Sequence, residues 1–409
     1  MVSGDRLDRY ASVLVGIALR IEPGDRLLIR SGTHATPLVH RVARAAYEAG
    51  AVNVDVLWVD DELDRARFTA GSRAAADELS YDYDVLARAA ERSDSYLRIV
   101  GEAPNRLADV DSERVAAAAG RAAESMGRWM EKAMALDFFW TVAAAPSVDW
   151  AEMVFPDLAG EEAVDALWNA VLATARVDEP DPLSAWESHL DHLTARQTFL
   201  NERAYASVRY VGPGTDLVVG LSEMHRWNNP GEGAKGRRTV ANIPTEEIST
   251  SPHSQRAEGI VRAARPLSYQ GRLIEGFEFQ FKDGAVVDAR ADRGQDDLDR
   301  ILATDDGSRR LGEVALVPTT SLVSAQNLTW YETLFDENDA SHLALGRAYP
   351  MGIRGGMEMT PQQLADVGNN ASTVHVDFVV GARDVTIYGV TADGGEEPLI
   401  AGGEWTFEV

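Results

Sequence analysis

Two apolar runs near the N-terminus, RLLIR at 26–30 and VNVDVLWV at 52–59, are separated by one helical pattern from about Pro37 to Ala49, which Gly50 stops. That spacing leaves little choice of topology. Two strands joined through a helix pair in parallel, because a tight hairpin is not available to them. The rhythm continues through a helical stretch near 72–92, the strand SYLRIVG, a long Ala-rich helix near 111–136, the strand DFFWTVAAAP and a helix near 160–176. Residues 5–20 read as an amphipathic helix with Leu7, Tyr10, Leu14 and Ile17 near one face. Residues 1–203 are therefore expected to form an α/β domain with a mostly parallel sheet and helices on both faces.

After residue 205 the pattern changes. ASVRYVG, TDLVVGL, FEFQFKDGAVVDARA, STVHVDFVVG, DVTIYGV and GEWTF are short alternating or β-branched runs, and KDG at 282–284 is a hairpin signal. Helices are expected only near 294–304 and 361–366. Residues 204–409 thus read as a β-rich α+β domain. The segment 177–202 joins the two, and its His189 and His192 are expected on a solvated helix face. A nucleotide site is disfavoured. The first strand–helix turn, RSGTHATP, has a single glycine. The literal GxGxxG of Gly231, Gly233 and Gly236 follows WNNP rather than a strand, and reads as a hairpin loop.

Composition narrows the function. A net charge of -26 disfavours nucleic acid and anionic membrane as partners, and favours cationic ligands such as a peptide with a free α-amino group. Solubility alone accounts for such a charge equally well. With 0 cysteines there is no disulfide, thiolate metal site or cysteine nucleophile. The N-terminus lacks a signal-peptide core and no apolar run reaches the ~20 residues of a membrane span. A cytoplasmic location is expected.

Chemistry-bearing residues concentrate between Tyr331 and Phe378. HVD places His375 and Asp377 two apart in a strand, hence on one face. In ANIPTEEISTSPH only one of Glu246 and Glu247 can enter a site, since neighbours in an extended chain face opposite ways. Glu313 in LGEVALVP precedes an apolar run and needs a partner, either a metal or a nearby arginine such as Arg309 or Arg310. FDENDASH crowds Asp336, Glu337 and Asp339 ahead of His342, as a partly buried acidic turn.

NIPTEEISTSPH, LGEVALVP, YETLFDENDASHLALGRAYP and GNNASTVHVDF, with GTDLVVGL and HRW upstream, closely resemble the M29 metallopeptidases, the aminopeptidase T or thermophilic metalloprotease family. Ser341 stands where that family commonly has Cys. The resemblance implies two divalent metal ions (Zn, Co, Mn or Mg) held by Glu247, Glu313, His342, Tyr349, His375 and Asp377. It implies a metal-activated water that attacks the first peptide bond of a short peptide whose free N-terminus is anchored in the site. Glu313 or Glu247 would combine ligation with proton handling, and Tyr349 would ligate or stabilise the oxyanion. It also implies a homodimer. The alternatives are a mononuclear iron ring-cleaving dioxygenase of the same superfamily, which keeps only part of the ligand set, and a non-catalytic metal- or small-molecule-binding protein.

Overall fold

The computed structural model describes residues 2–72, 74–75, 78–229, 236–270 and 272–409. The chain forms two compact units: Met1–Leu190 with Pro230–Thr245 and Tyr269–Arg272, and Asp191–Asn229 with Glu246–Ser268 and Leu273–Val409.

The first unit is built on β1 (Arg26–Gly32), β2 (Asn53–Val59), β3 (Ser95–Val100) and β4 (Trp140–Ala144), in the order β2-β1-β3-β4. Every pairing is parallel. Leu27, Leu28 and Ile29 in β1 and Leu97 and Ile99 in β3 are buried, as a sheet covered on both faces requires. The α/β expectation therefore holds, with differences at element ends. Leu7, Tyr10, Leu14 and Ile17 are all buried, but the first α-helix spans only Gly4–Val13 and continues as a π-helix over Leu14–Ala18. A helix at Asp61–Thr69 went unpredicted, although Asp60 caps it by accepting from Glu62 N and Leu63 N. The Ala-rich helix is two helices, Ser112–Ser125 and Gly127–Met134.

Just beyond β3, Glu102 pairs with Arg98 and accepts from Gly101 N at 3.1 Å. Burial acts to raise its pKa, but the guanidinium groups of Arg98 and Arg106 outweigh it and pull the carboxyl down to about 2. A folded pKa below the ordinary 4.5 stabilises the fold above pH 4.5, and that contribution fades as the pH falls through about 2. Glu102→Gln is expected to cost about 3 kcal/mol in urea unfolding at pH 7. The gap from wild type should close as the pH drops below about 3. An unchanged midpoint at pH 7 would contradict this account.

From Ser207 on, the chain forms β5 (Ser207–Gly212), β6 (Thr215–Leu221), β7 (Ile248–Thr250), β8 (Pro252–Arg262), a ribbon of β9 (Leu267–Tyr269) and β10 (Arg272–Ile274), β11 (Glu278–Lys282) and β12 (Ala285–Arg290). It continues with β13 (Leu311–Leu316), β14 (His342–Gly346), β15 (His375–Val379), β16 (Thr386–Val390), β17 (Glu396–Ala401) and β18 (Glu404–Trp405). Two antiparallel sheets result. One has eight strands in the order β12-β11-β8-β6-β5-β16-β17-β18, and the other has four, β15-β14-β13-β7. The KDG hairpin turns on Asp283 (φ 50°) and Gly284 (φ 77°), the left-handed pair that such a turn needs. A Cβ on Gly284 would also lie 2.2 Å from Ser254 O. Phe277, Phe279, Phe281 and Phe378 form a buried cluster, packed edge-to-face except for the tilted Phe277–Phe378 pair.

The helix expected within 177–202 spans Pro182–Arg203. His189 Nε2 lies 2.9 Å from Thr245 O, and His192 is exposed. Gly231 and Gly233 of the GxGxxG lie outside the described residues. Among the described residues, no helix is long and apolar enough to cross a membrane.

Candidate metal centre

The four-stranded sheet assembles the site by register. Ala344 at the middle of β14 lies opposite Glu313 of β13 on one side and Asp377 of β15 on the other. Residues directly opposite in a ladder share a face. Two residues along each strand, His342 and His375 join the same face. On β7, Ser249 pairs with Ala315, so the alternation carries Glu247, and not Glu246, to the side of Glu313. The small Ala344 side chain leaves room between the two carboxylates.

The result is two acid–histidine groups with a common member. Glu247, Glu313 and His342 form one, and Glu313, His375 and Asp377 form the other, with ligand atoms within 4.8 Å of one another in each. His342 Nε2 lies 3.3 Å from Glu247 Oε2. His375 Nε2 lies 3.1 Å from both Glu313 Oε2 and Asp377 Oδ1. Its other nitrogen, Nδ1, donates to Arg347 O at 2.7 Å, which turns Nε2 inward. Tyr349 packs its ring on His375, with centroids 4.6 Å apart, and its own carbonyl accepts from Ser251 Oγ. All six residues named from the sequence are thus brought together. Neither arginine partners Glu313: Arg309 donates to Val286 O, and Arg310 to Ser254 O and Asp283 O.

Sequence reasoning missed Glu337 as a member. The acidic stretch is a short helix, Thr333–Asp339, rather than a turn. Burial, then the charges of Asp377, Glu247 and Glu313, push the Glu337 carboxyl well up. With Thr333, Asp336 and Asp377 it lines a narrow cleft. Its spacing of five from His342 was the available signal, but only a helix followed directly by β14 converts that spacing into proximity.

The electrostatics call for cations. Burial and the neighbouring carboxylates of Glu313 and Asp377 raise the Glu247 carboxyl, against the pull of His342. Burial pulls the His342 imidazole down, yet Glu247, Asp377 and Glu313 outweigh it and raise it to about 9. His375 is likewise raised well above its ordinary value against burial, by Tyr349, Asp377 and Glu313. Burial pushes the Tyr349 phenol up, and the surrounding carboxylates add to this. Asp377 Oδ1 and His342 Nδ1 are buried without a hydrogen bond. Asp377 Oδ1 makes none although His375 Nε2 is close, so the two atoms converge on shared space rather than on each other. Carboxylate oxygens and imidazole nitrogens converging in this way fit hard or borderline divalent ions.

Comparison with known proteins identifies the chain as a metalloprotease. The model of the thermophilic metalloprotease (M29) family matches residues 3–405. Aminopeptidase 2 of Geobacillus stearothermophilus is 42% identical over 409 residues, covering 98% of each chain. Aminopeptidase T of Thermus aquaticus is 38% identical over 407 residues, again covering 98% of each. Among solved structures, wild-type AmpT from Thermus thermophilus superposes with a TM-score of 0.92 at 36% identity, covering 98% of this chain and 99% of that one. A 2,5-dihydroxypyridine dioxygenase from Pseudomonas putida KT2440 shares the fold alone, with a TM-score of 0.56 at 12% identity over 100% of this chain and 99% of its own. With its face of carboxylates and histidines on one antiparallel sheet, the chain belongs to the M29 family of thermophilic metalloproteases.

Proposed function

We infer that this chain, a metallo-aminopeptidase of the M29 family, removes the N-terminal residue of short peptides with the help of two divalent ions. Glu247, Glu313 and His342 would hold one ion, and Glu313, His375 and Asp377 the other. The observation that carries this reading is Glu313, whose carboxylate belongs to both groups. Two ions bound there supply a water of lowered pKa and an electrophile for the scissile carbonyl.

The chain's own residues do the rest. We assign the proton to Glu337, which lines the cleft beside Asp377 and lies outside both ligand groups, as the group that takes a proton from water and returns it to the leaving amine nitrogen. That leaves Glu247 and Glu313 as ligands. Tyr349 keeps its hydroxyl proton at neutral pH and can donate it to a developing oxyanion, or turn its oxygen to an ion. The excess of carboxylates favours a substrate that brings an ammonium group. Zn, Co, Mn and Mg all suit these donors. A homodimer and a cytoplasmic setting, which the family resemblance implies, belong to the same proposal.

The test is metal-dependent turnover. Protein stripped by chelator should be inactive on leucine p-nitroanilide and on short unblocked peptides. It should recover when Co, Zn, Mn or Mg is restored to about two ions per chain. N-acetylated versions of the same peptides should not be cleaved. Cleavage of blocked peptides at the same rate, or full activity in the stripped protein, would refute the proposal.

A further inference from the structure

Four of the carboxylate and imidazole ligands sit inside hydrogen-bonded ladders. Glu313, His342, His375 and Asp377 all lie within β13, β14 or β15. Glu247 does not. The pairing of β7 with β13 begins only at Ile248, opposite Leu316. Something other than the sheet must hold the chain just before it.

The carbonyl of the Thr245–Glu246 peptide lies 2.9 Å from His189 Nε2, and the N–H of the same peptide is held by Asn338, which is fully buried in the helix that carries Glu337. Its Oδ1 accepts from Glu246 N at 2.7 Å. Its Nδ2 donates to Leu334 O at 2.8 Å and to Glu337 Oε1 at 3.4 Å. The three partners agree on the orientation of the amide: two oxygens face the NH2 and one N–H faces the oxygen. The helix itself is anchored from both sides. Ser321 Oγ donates to Asn338 O at 3.0 Å. Trp330 stacks on Phe335 with centroids 4.2 Å apart and planes 12° apart, both fully buried. A rigid helix therefore reaches across and fixes the peptide group next to Glu247.

We propose that Asn338 is a positioning residue that supplies the hydrogen bond missing from the edge of β7, setting Glu247 for its ion and holding Glu337 beside it. The proposal rests on the two-ion reading above. Its consequence is selective: the ion of Glu247 depends on Asn338, and the ion of His375 and Asp377 does not.

The experiment is a Co(II) titration of chelator-stripped protein, followed by visible absorption and by equilibrium dialysis. It is paired with amide hydrogen exchange at Glu246 in the metal-free protein. Asn338→Ala should bind one ion as wild type does and the second roughly 10–100-fold more weakly. Glu246 N–H should exchange faster. Asn338→Asp keeps the acceptor for Glu246 N but sets a charged oxygen against Leu334 O and Glu337 Oε1, so it should restore slow exchange at Glu246 without full metal affinity, and it serves if the alanine variant folds poorly. Equal weakening of both ions would mean a general structural role and overturn the proposal, as would unchanged binding of both. Uptake of a single ion by wild type would sink the two-ion reading instead, while the exchange rate at Glu246 would still decide whether Asn338 holds that peptide.

Discussion

Glu313→Gln is expected to leave the fold intact and abolish activity, lowering kcat/KM by on the order of a thousandfold or more. Glutamine has the shape of glutamate, so the buried position in β13 stays filled. What changes is the donor set. A carboxylate offers two equivalent oxygens and one negative charge to the shared space, whereas an amide offers one neutral oxygen and an NH2 that repels a cation. His375 Nε2, now 3.1 Å from Glu313 Oε2, also loses a charged neighbour. Because Glu313 belongs to both groups, its loss should weaken both of the proposed ions. Metal analysis should therefore show fewer than two ions retained after dialysis. Thermal stability of the stripped variant should match or exceed that of stripped wild type, since one uncompensated buried charge has gone. A variant that cleaves like wild type would show that Glu313 is not the shared ligand.

Ala344→Leu should produce nearly as large a loss without touching any ligand. Ala344 is buried and lies opposite Glu313 and Asp377 at once. A leucine there projects into the gap between the carboxylates and keeps them from converging on one ion. The overpacking should cost about 1–3 kcal/mol of stability. Activity should fall by roughly a hundredfold or more, since a displacement of about 1 Å in a reacting group has that effect. Ala344→Gly removes the methyl and should retain most of the activity. Circular dichroism, metal content and kcat/KM together separate this from unfolding. Normal metal uptake by the leucine variant would show that the space at Ala344 does not matter.

Much of this architecture was legible in the sequence because it obeys simple periods. The spacing of RLLIR and VNVDVLWV requires a parallel sheet, and β1, β2, β3 and β4 provide one. The HVD pair shares a face because strands alternate, and the same rule leaves one of Glu246 and Glu247 in the site. The family resemblance chose Glu247 between them, and the register of β7 against β13, which no single strand encodes, gives the physical reason. Glu337 was read only as part of an acidic turn, because its helix is only seven residues long, too short to show a period. Asp61–Thr69 escaped for a related reason: its one buried side chain, Phe68, leaves no apolar stripe, and Asp60 was the only cue. The π-helical turn at Leu14–Ala18 keeps the buried face of an ordinary helix, so burial alone could not reveal it. Hydrogen bonds across long separations, such as Asn338 to Glu246, are invisible to any local rule.

The placement of the proposed ligands in strand register also sets how the gene encoding this chain can change. Inserting or deleting a single codon within β13, β14 or β15 would turn every downstream side chain of that strand to the opposite face, removing its ligands as surely as mutating them. Outside the stretches that carry Glu337, Asn338 and Tyr349, the connections are under no such constraint: 316 and 342 are joined by a segment whose length the ladder does not count, and so are 346 and 375. Length variation among functional descendants should therefore fall between the strands and spare the strands themselves. Recombination points that succeed should lie there too.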